Sequence, residues 1–233
     1  MSYYLQDIRN AVKSDLKDNA GFLTAVDIDS LIQTALRQTA HDMPYGFPFD
    51  LTADGSQDYD IGTYFYKGFS IVRTVEYPIS QNPPKYLDED MDWFVYEDPT
   101  KAAGHQMRLR FKQTQPVVPN YIRVTIDNPY TVTEVASTLD ANSFTAVQYK
   151  TLQLACSALA NLFNQTTDPT IQADTVDYTT KSQNYIYLAN EWKKKYEYIT
   201  GVADGVPAGQ AIVNLHTKFS HGEDMVWHPR TAR

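Results

Sequence analysis

The pattern of apolar positions predicts a pair of amphipathic helices at the start of the chain. Apolar residues recur at helical spacing at Leu5, Ile8, Val12 and Leu16, and again at Ile28, Leu31, Ile32, Ala35 and Leu36. The first helix is expected to end near Lys17, before an Asn-Ala-Gly stretch. Thr24 followed by Asp27 fits a capping box for the second helix, which is expected to end before Pro44. Residues 1–44 are therefore predicted to form two antiparallel helices.

Alternating apolar and polar residues indicate strands over residues 45–135. Three segments show this alternation most clearly. In the first, Phe69, Ile71, Arg73 and Val75 alternate with Ser70, Val72, Thr74 and Glu76. In the second, Met107, Leu109 and Phe111 alternate with Arg108, Arg110 and Lys112, and in the third, Ile122, Val124 and Ile126 alternate with Arg123, Thr125 and Asp127. Each pattern is typical of a half-buried antiparallel strand. Frequent prolines and glycines predict turns and sizeable loops between the strands. The region is therefore predicted to be a β-rich lobe between helical elements.

Two longer helices are predicted over residues 136–200. The first, at about 143–164, is expected to begin at a cap formed by Asn142 or Ser143. Apolar residues cover more than half of its circumference, which predicts a central position in the fold. The second helix carries a stripe of recurring positions, namely Tyr178, Ser182, Tyr185, Ala189, Trp192, Tyr196 and Ile199. That stripe predicts a buried face.

Two tyrosines of the last helix point away from this stripe. Tyr187 and Tyr198 lie about 180 and 200 degrees from Tyr178 if each residue turns the helix by roughly 100 degrees. They are candidates for a contact with a neighbouring subunit. The alternative is that they are ordinary exposed side chains, since isolated apolar groups are common on protein surfaces.

Residues 201–233 follow Gly201 without a helical pattern, and they are predicted to form an extended C-terminal arm. Gly205, Pro207 and Gly209 predict a flexible neck. The candidate docking residues of the arm are Val213, Leu215, Phe219, Met225 and Trp227. Strand-like apolar residues of this kind either fold back or dock on another chain. The whole pattern predicts an α+β protein: a mainly helical core of about four helices, an antiparallel β-rich insertion and an extended arm.

Composition and charge narrow the classes of function. The chain has 20 basic and 28 acidic residues, and its net charge of -8 argues against a strong electrostatic grip on nucleic acid. The 17 tyrosines favour protein partners. Cys156 is the single cysteine, so no intrachain disulfide forms, and a small buried side chain is favoured over a nucleophile. The sequence shows neither a signal peptide at its start nor an apolar run long enough to span a membrane.

Candidate catalytic and metal-binding patterns are incomplete. The segment from Asp50 to Ile61 partly matches a calcium loop but ends in isoleucine where a glutamate is required, which favours a hairpin turn. The acidic run Asp88, Glu89, Asp90 and Asp92 is interpreted as a solvated loop, and the tail histidines His216, His221 and His228 lack zinc-ligand spacing. No phosphate loop, GxGxxG or GxSxG motif is present. We therefore expect no enzyme activity, cofactor or bound metal.

Basic side chains of the lobe form one further candidate site. Arg108, Arg110, Lys112 and Arg123 would share a polar sheet face if their strands pair, giving a local basic patch. Such a patch would meet an acidic protein surface or DNA. A solvated sheet face that limits edge pairing is the favoured alternative.

Several segments, in one order, resemble the head-to-tail connector proteins of tailed bacteriophages, also called adaptor or head completion proteins. They are the N-terminal helix pair, IVRTVEYP followed by PPKYLDED, the LRF strand, YIRVTIDNPYTV leading to ASTLD, LQLACSALANLF, and ADTVDYTTKSQNYIYLANEWKKKYEY. Each motif is loose, and the order and spacing carry the resemblance. The long, proline-rich β lobe departs from the family pattern, so its role is open between contact with the tail, fibre binding and lining of the channel.

The resemblance implies a non-enzymatic virion protein at the capsid–tail junction, assembled in the host cytoplasm. It implies a homo-oligomeric ring, usually of twelve copies, beneath the portal protein, with DNA passing through without sequence-specific binding. The arm residues named above would dock into the portal, and other faces would receive downstream neck, tail or tail-fibre proteins. The alternatives are another phage neck or tail completion protein, a metal-dependent hydrolase or a small DNA-binding module.

Overall fold

The computed structural model describes residues 3–16, 21–89, 91–165 and 178–202. Its helices are α1 (Leu5–Leu16), α2 (Ala25–Asp42), α3 (Ala141–Gln165) and α4 (Tyr178–Thr200). Its strands are β1 (Tyr45–Thr52), β2 (Asp58–Asp60), β3 (Ile71–Glu76), β4 (Tyr86–Leu87), β5 (Trp93–Glu97), β6 (Met107–Phe111) and β7 (Tyr121–Asn128), and a 3-10 turn spans Gly62–Tyr64. The α+β class and the helical core of about four helices predicted from the sequence are confirmed.

Helix α3 lies at the centre of the helical core, as its wide apolar surface predicts, and packs against α1, α2 and α4. The buried side chains of this core include Ile8, Val12, Ile28, Ile32, Ala35, Leu36, Val147 and Leu152. Cys156 is also buried on α3, at 1% exposure, and burial raises the pKa of its thiol to about 11. The thiol is therefore protonated near neutral pH, as expected for a packing residue. Within the described ranges, no helix has the length and apolarity needed to cross a membrane.

Side-chain caps fix where two of these helices begin. Thr24 and Asp27 form the predicted capping box of α2, with a bond in each direction between side chain and backbone. The cap predicted for α3 is wrong, because Asp140 rather than Asn142 or Ser143 precedes the first turn. The Asp140 carboxylate accepts from the backbone N–H of Ser143 at 2.7 Å, and the Ser143 hydroxyl accepts from the Asp140 N–H at 2.9 Å. This reciprocal pair satisfies donors that the start of the helix leaves open.

The described strands of the lobe form two antiparallel sheets. The first sheet has the order β1-β7-β3-β4 and the second the order β2-β6-β5. One cluster of buried side chains joins the two sheets, with contributions from Val75, Trp93, Leu109, Phe111, Ile122, Val124 and Ile126. Trp93 is 1% exposed and donates its indole N–H to the carbonyl of Leu87 at 3.1 Å, which ties the second sheet to the edge of the first. The lobe therefore has a hydrophobic core of its own.

Strand β7 confirms the alternation predicted for it, since Ile122, Val124 and Ile126 are fully buried. Strand β3 departs from strict alternation. Its pairing with β7 shifts between Val72 and Thr74, and a shift of this kind moves every later side chain to the other face. Val72 and Val75 are consequently buried, whereas Ile71 is 65% exposed.

The chain enters and leaves the lobe at neighbouring positions. Tyr45, the first residue of β1, lies directly opposite Asn128, the last residue of β7. After β7 the chain returns to the helices, because Val132 and Leu139 are buried in the helical cluster. The Tyr45 and Tyr130 rings, 6.2 Å apart, lie at this junction. The lobe is thus an insertion whose two ends meet.

Candidate interaction surface

Helix α4 buries the face that the sequence stripe predicts, as far as its side chains are described. Ser182, Ala189 and Tyr196 are buried, and Tyr185, Trp192 and Ile199 are half-buried. The Ser182 hydroxyl donates to the carbonyl of Ala160 at 3.1 Å, so the small residue lets α4 lie close to α3. The side chain of Tyr178 lies outside the description. The inner face of α4 completes the core.

The outer face of α4 carries the two tyrosines that the helical geometry places opposite the stripe. Tyr187 is 65% exposed and Tyr198 is 89% exposed. Glu191 and Lys194 lie between them, and the Lys194 ammonium donates to the Glu191 carboxylate at 3.0 Å. The hydrogen bond with Glu191 raises the pKa of Lys194 above its usual value. The outer face is therefore aromatic at both ends and charged in the middle.

A shallow cavity of about 420 Å³ adjoins this face. It is lined by Tyr149, Glu191, Lys194, Lys195, Tyr198 and Ile199. The Lys195 ammonium lies 3.9 Å from the centroid of the Trp192 ring and 5.8 Å from that of Tyr149, and the two rings lie 5.4 Å apart. Apolar walls beside ammonium groups suit an apolar side chain next to a carboxylate. The outer face of α4 and this cavity form the candidate interaction surface.

Sequence reasoning found only part of this surface. The helical rotation of about 100 degrees per residue identifies Tyr187 and Tyr198 as lying opposite the stripe. The three-residue spacing of Trp192 and Lys195 is also a sequence signal for a cation–π contact. Tyr149 belongs to α3, and its place in the cavity follows from how α3 and α4 pack. No local pattern predicts that contact.

The predicted basic patch is wrong, because its strands do not share a sheet. Arg108 and Arg110 lie on β6 in the second sheet, and Arg123 lies on β7 in the first. Arg108 donates to the backbone carbonyl of Asp58 at 3.3 Å, and Arg110 lies 3.8 Å from the Asp58 carboxylate. Arg123 makes a bidentate contact with Asp50, its cross-strand neighbour, at 2.8 and 3.0 Å. These carboxylates reduce the attraction that the arginines would exert on an anionic partner.

The acidic segments form no metal site in the part of the chain that the structure describes. Among these residues, no three or more His, Cys, Asp or Glu side chains are arranged to hold an ion. In the acidic run, the Asp92 carboxylate accepts from the backbone N–H of Asp88 at 3.1 Å, and Asp90 lies outside the described residues. The turn after β1 is not the predicted hairpin, because β1 and β2 belong to different sheets. The turn leads the chain from one sheet to the other.

The arm candidates and the tail histidines lie outside the described residues, which end at Val202. They are Val213, Leu215, Phe219, Met225 and Trp227, and His216, His221 and His228. The chain matches no protein-family model and no curated protein sequence. The class of the protein is therefore defined by its own geometry: an α+β fold with a self-contained lobe and an exposed aromatic face on its last described helix.

Proposed function

We propose that this chain is a structural connector of tailed bacteriophage particles, which forms a ring at the portal vertex and joins the portal to the tail or neck. The observation that carries the proposal is the division of α4 into two faces. Its inner stripe completes the helical core, whereas Tyr187 and Tyr198 are 65% and 89% exposed. Large exposed aromatic side chains are enriched at protein interfaces, and these two tyrosines are not part of the hydrophobic core.

The order of elements also supports the proposal. The described parts of the segments that resemble connector proteins include β3, β4, β6, β7 and most of α3 and α4, with the helix pair before them. In this arrangement the helical core supplies the ring, and the inserted lobe, with its own core, is free to meet a neck, tail or fibre protein. Because the lobe has its own hydrophobic core, it can serve as an additional binding domain attached to the helical core.

The mechanism is geometric. A closed ring repeats one heterologous contact, so that a modest interface is multiplied around the circle. Arms carrying Val213, Leu215, Phe219, Met225 and Trp227 would insert into the portal, and each arm raises the effective concentration of the others. DNA would pass through the channel with little attraction, since the net charge is -8 and the lobe arginines lie beside carboxylates.

Mixing the purified chain with the portal protein of the same phage, followed by electron microscopy, tests the proposal. We expect a ring of twelve copies on one end of the portal. A variant lacking residues 202–233 is expected to keep its helical circular dichroism and to lose attachment to the portal. The double variant Tyr187→Ser with Tyr198→Ser is expected to attach as single copies without closing a ring.

Two results would contradict this assignment. If labelled protein were found in virions only at sites away from the neck, another tail completion role would replace it. If the truncated variant attached as well as the full chain, the arm would not be the portal contact.

A further inference from the structure

A cleft of about 170 Å³ in the lobe, beside the chain that returns to the helices, has a lining without charged residues. Its walls come from β1, from the 3-10 turn and the chain just after it, and from the end of β7 and the segment that follows. Nine described residues line it: four are aromatic, three are threonines, and the others are an asparagine and a proline. The whole chain has 20 basic and 28 acidic residues, so an uncharged concave surface is a local departure from its composition.

Aromatic rings form one wall of this cleft. The Phe47 ring on β1 lies 5.6 Å from that of Tyr64 and 6.3 Å from that of Tyr45. Tyr66 adds a further ring that is 50% exposed, and Tyr64 is 39% exposed. The face of an aromatic ring carries partial negative charge and attracts C–H groups that carry partial positive charge. The C–H groups of a sugar ring are of this kind, because each ring carbon bears an oxygen.

Hydroxyl groups supply most of the polar part of the lining. Thr63, Tyr64, Tyr66 and Thr131 are exposed, so their hydroxyls can reach a bound molecule. A hydroxyl both donates and accepts hydrogen bonds, which matches the hydroxyls of a sugar in either direction. A wholly apolar ligand would leave these groups unpaired, and a charged ligand would find no opposite charge in the lining.

A chain of hydrogen bonds fixes the shape of the cleft. The buried Ser70 hydroxyl donates to the side-chain carbonyl of Asn128 at 2.5 Å and accepts from the backbone N–H of Tyr66 at 2.9 Å. The Asn128 amide donates to the backbone carbonyl of Tyr64 at 3.0 Å. These bonds hold the segment after the 3-10 turn against the end of β7. The cleft is therefore formed before any ligand binds, which lowers the cost of ordering it.

We propose that this cleft binds one neutral sugar ring of a polysaccharide. A proline-rich peptide also packs on aromatic rings, but one turn of its extended helix is about 9 Å long and is read by a groove rather than by one compact cleft. The volume of the cleft suits a single six-membered ring. The proposal goes beyond the connector function and does not depend on it. If the chain forms the ring proposed above, the repeated clefts would act together on one polysaccharide.

Saturation-transfer NMR of the full chain with glucose, galactose, mannose and N-acetylglucosamine tests the proposal. The best of these sugars is expected to bind with a dissociation constant on the order of 1 mM, since ligands of this size bind weakly. Saturation is expected to be strongest on the C–H protons of one face of the ring, because that face stacks on the aromatic wall. The anionic analogue, in which a carboxylate replaces the terminal CH₂OH group, is expected to bind about tenfold more weakly.

Substitutions of Tyr66 separate the contribution of the ring from that of the hydroxyl. Tyr66→Ser is expected to raise the dissociation constant by about tenfold, and Tyr66→Phe, which keeps the ring, by no more than about threefold. Thr63→Val removes one hydroxyl at nearly constant shape and is expected to raise it by about threefold.

Tyr121→Ser is the matched control for Tyr66→Ser. Tyr121 is 47% exposed in the same lobe, but it lies at the other end of β7 from Asn128. This variant is expected to bind the sugar as the original chain does. Urea titration followed by circular dichroism is expected to give the same midpoint for all four variants, because each position is exposed.

Three results would overturn the proposal. They are an absence of saturation transfer to all four sugars at several tens of millimolar, an anionic sugar that binds more tightly than its neutral counterpart, and equal losses for Tyr66→Ser and Tyr121→Ser. A proline-rich peptide that binds in place of the sugars, and is weakened by Tyr66→Ser, would assign the cleft to a protein partner instead. Portal imaging involves no sugar, so a failure of the connector function and a failure of the sugar site are distinguished.

Discussion

At the scale of single residues, Tyr196 links the last helix to the second. Its ring is 2% exposed on the inner face of α4, and its hydroxyl donates to the Asp42 carboxylate at the end of α2 at 2.6 Å. Burial, and then the bond to Asp42, raises the pKa of Tyr196. The hydroxyl is therefore neutral and acts as a donor throughout the physiological range. The bond joins two helices that are far apart in sequence.

Replacing Tyr196 with phenylalanine keeps the ring and removes only this donor. The expected loss of unfolding free energy is about 1.5 kcal/mol, because the bond is made to a charged acceptor that is partly shielded from water. Urea titration followed by circular dichroism measures the loss. Tyr198→Phe is the matched control, since its ring is 89% exposed, and a change below about 0.5 kcal/mol is expected. Equal effects for both variants would contradict this account of Tyr196.

The start of α3 shows why the sequence alone does not identify the residue that caps a helix. Asp140, Asn142 and Ser143 are all good cap residues and lie within four positions. The structure selects Asp140 because a serine three positions later completes the reciprocal bonds. Burial alone would raise the pKa of Asp140, but the hydrogen bonds from Ser143 and from neighbouring backbone N–H groups together lower the pKa. Sequence preference placed the cap within three residues of the correct position and could not rank the candidates.

At the scale of elements, the 3-10 turn at Gly62–Tyr64 is held against the loop between β5 and β6. Asp60 accepts from the Gly62 N–H at 2.9 Å, and its other carboxylate oxygen lies 2.6 Å from His105 Nδ1. A side chain at Gly62 would meet the carbonyl oxygen of Gly104 and would lie 2.9 Å from the Cα of His105. Both obstacles are backbone atoms, so the turn and the loop would have to separate.

Gly62→Ala is therefore expected to lower the free energy of unfolding by about 2 kcal/mol through overpacking. Gly46→Ala is the matched control on β1, because its new Cβ would lie 3.6 Å from a guanidinium nitrogen of Arg73, an ordinary contact. Its expected effect is below about 0.5 kcal/mol. Thermal and urea unfolding of the two variants measure the difference. A Gly62→Ala protein as stable as the original would contradict the close approach.

Strand periodicity predicted which segments are extended, but not which segments become neighbours. β6 and β7 are consecutive and both alternate, yet they belong to different sheets. β7 pairs instead with β1, although the two strands are far apart in the sequence. Periodicity describes one strand at a time, whereas pairing depends on how the faces of all strands pack. The predicted basic patch failed for this reason, since it required Arg123 to join Arg108 and Arg110.

At the scale of the whole molecule, the change of period was the most informative signal in the sequence. Helical spacing up to Leu36, alternation from Phe69 to Asp127 and helical spacing again from Phe144 predicted the α+β class, which the structure confirms. The cavity beside α4 could not be predicted, because tertiary packing brings Tyr149 of α3 and Tyr198 of α4 to the same cavity. Local patterns therefore predict the elements, and the candidate surface depends on their assembly.

The separate hydrophobic clusters predict that the helical core folds without the lobe. Tyr45 and Asn128 lie opposite each other across paired strands, so their Cα atoms are about 5 Å apart, a gap that two glycines span. A chain in which Gly-Gly replaces residues 45–128 is expected to retain a cooperative, helical unfolding transition, measured by far-UV circular dichroism. Leu109 and Leu152 are fully buried, in the lobe and in the helical core respectively. In the full chain, Leu109→Ala is expected to lower the free energy of unfolding of the lobe, and Leu152→Ala that of the helical core, each by about 2–5 kcal/mol. An unfolded deletion variant would show that the two cores depend on each other.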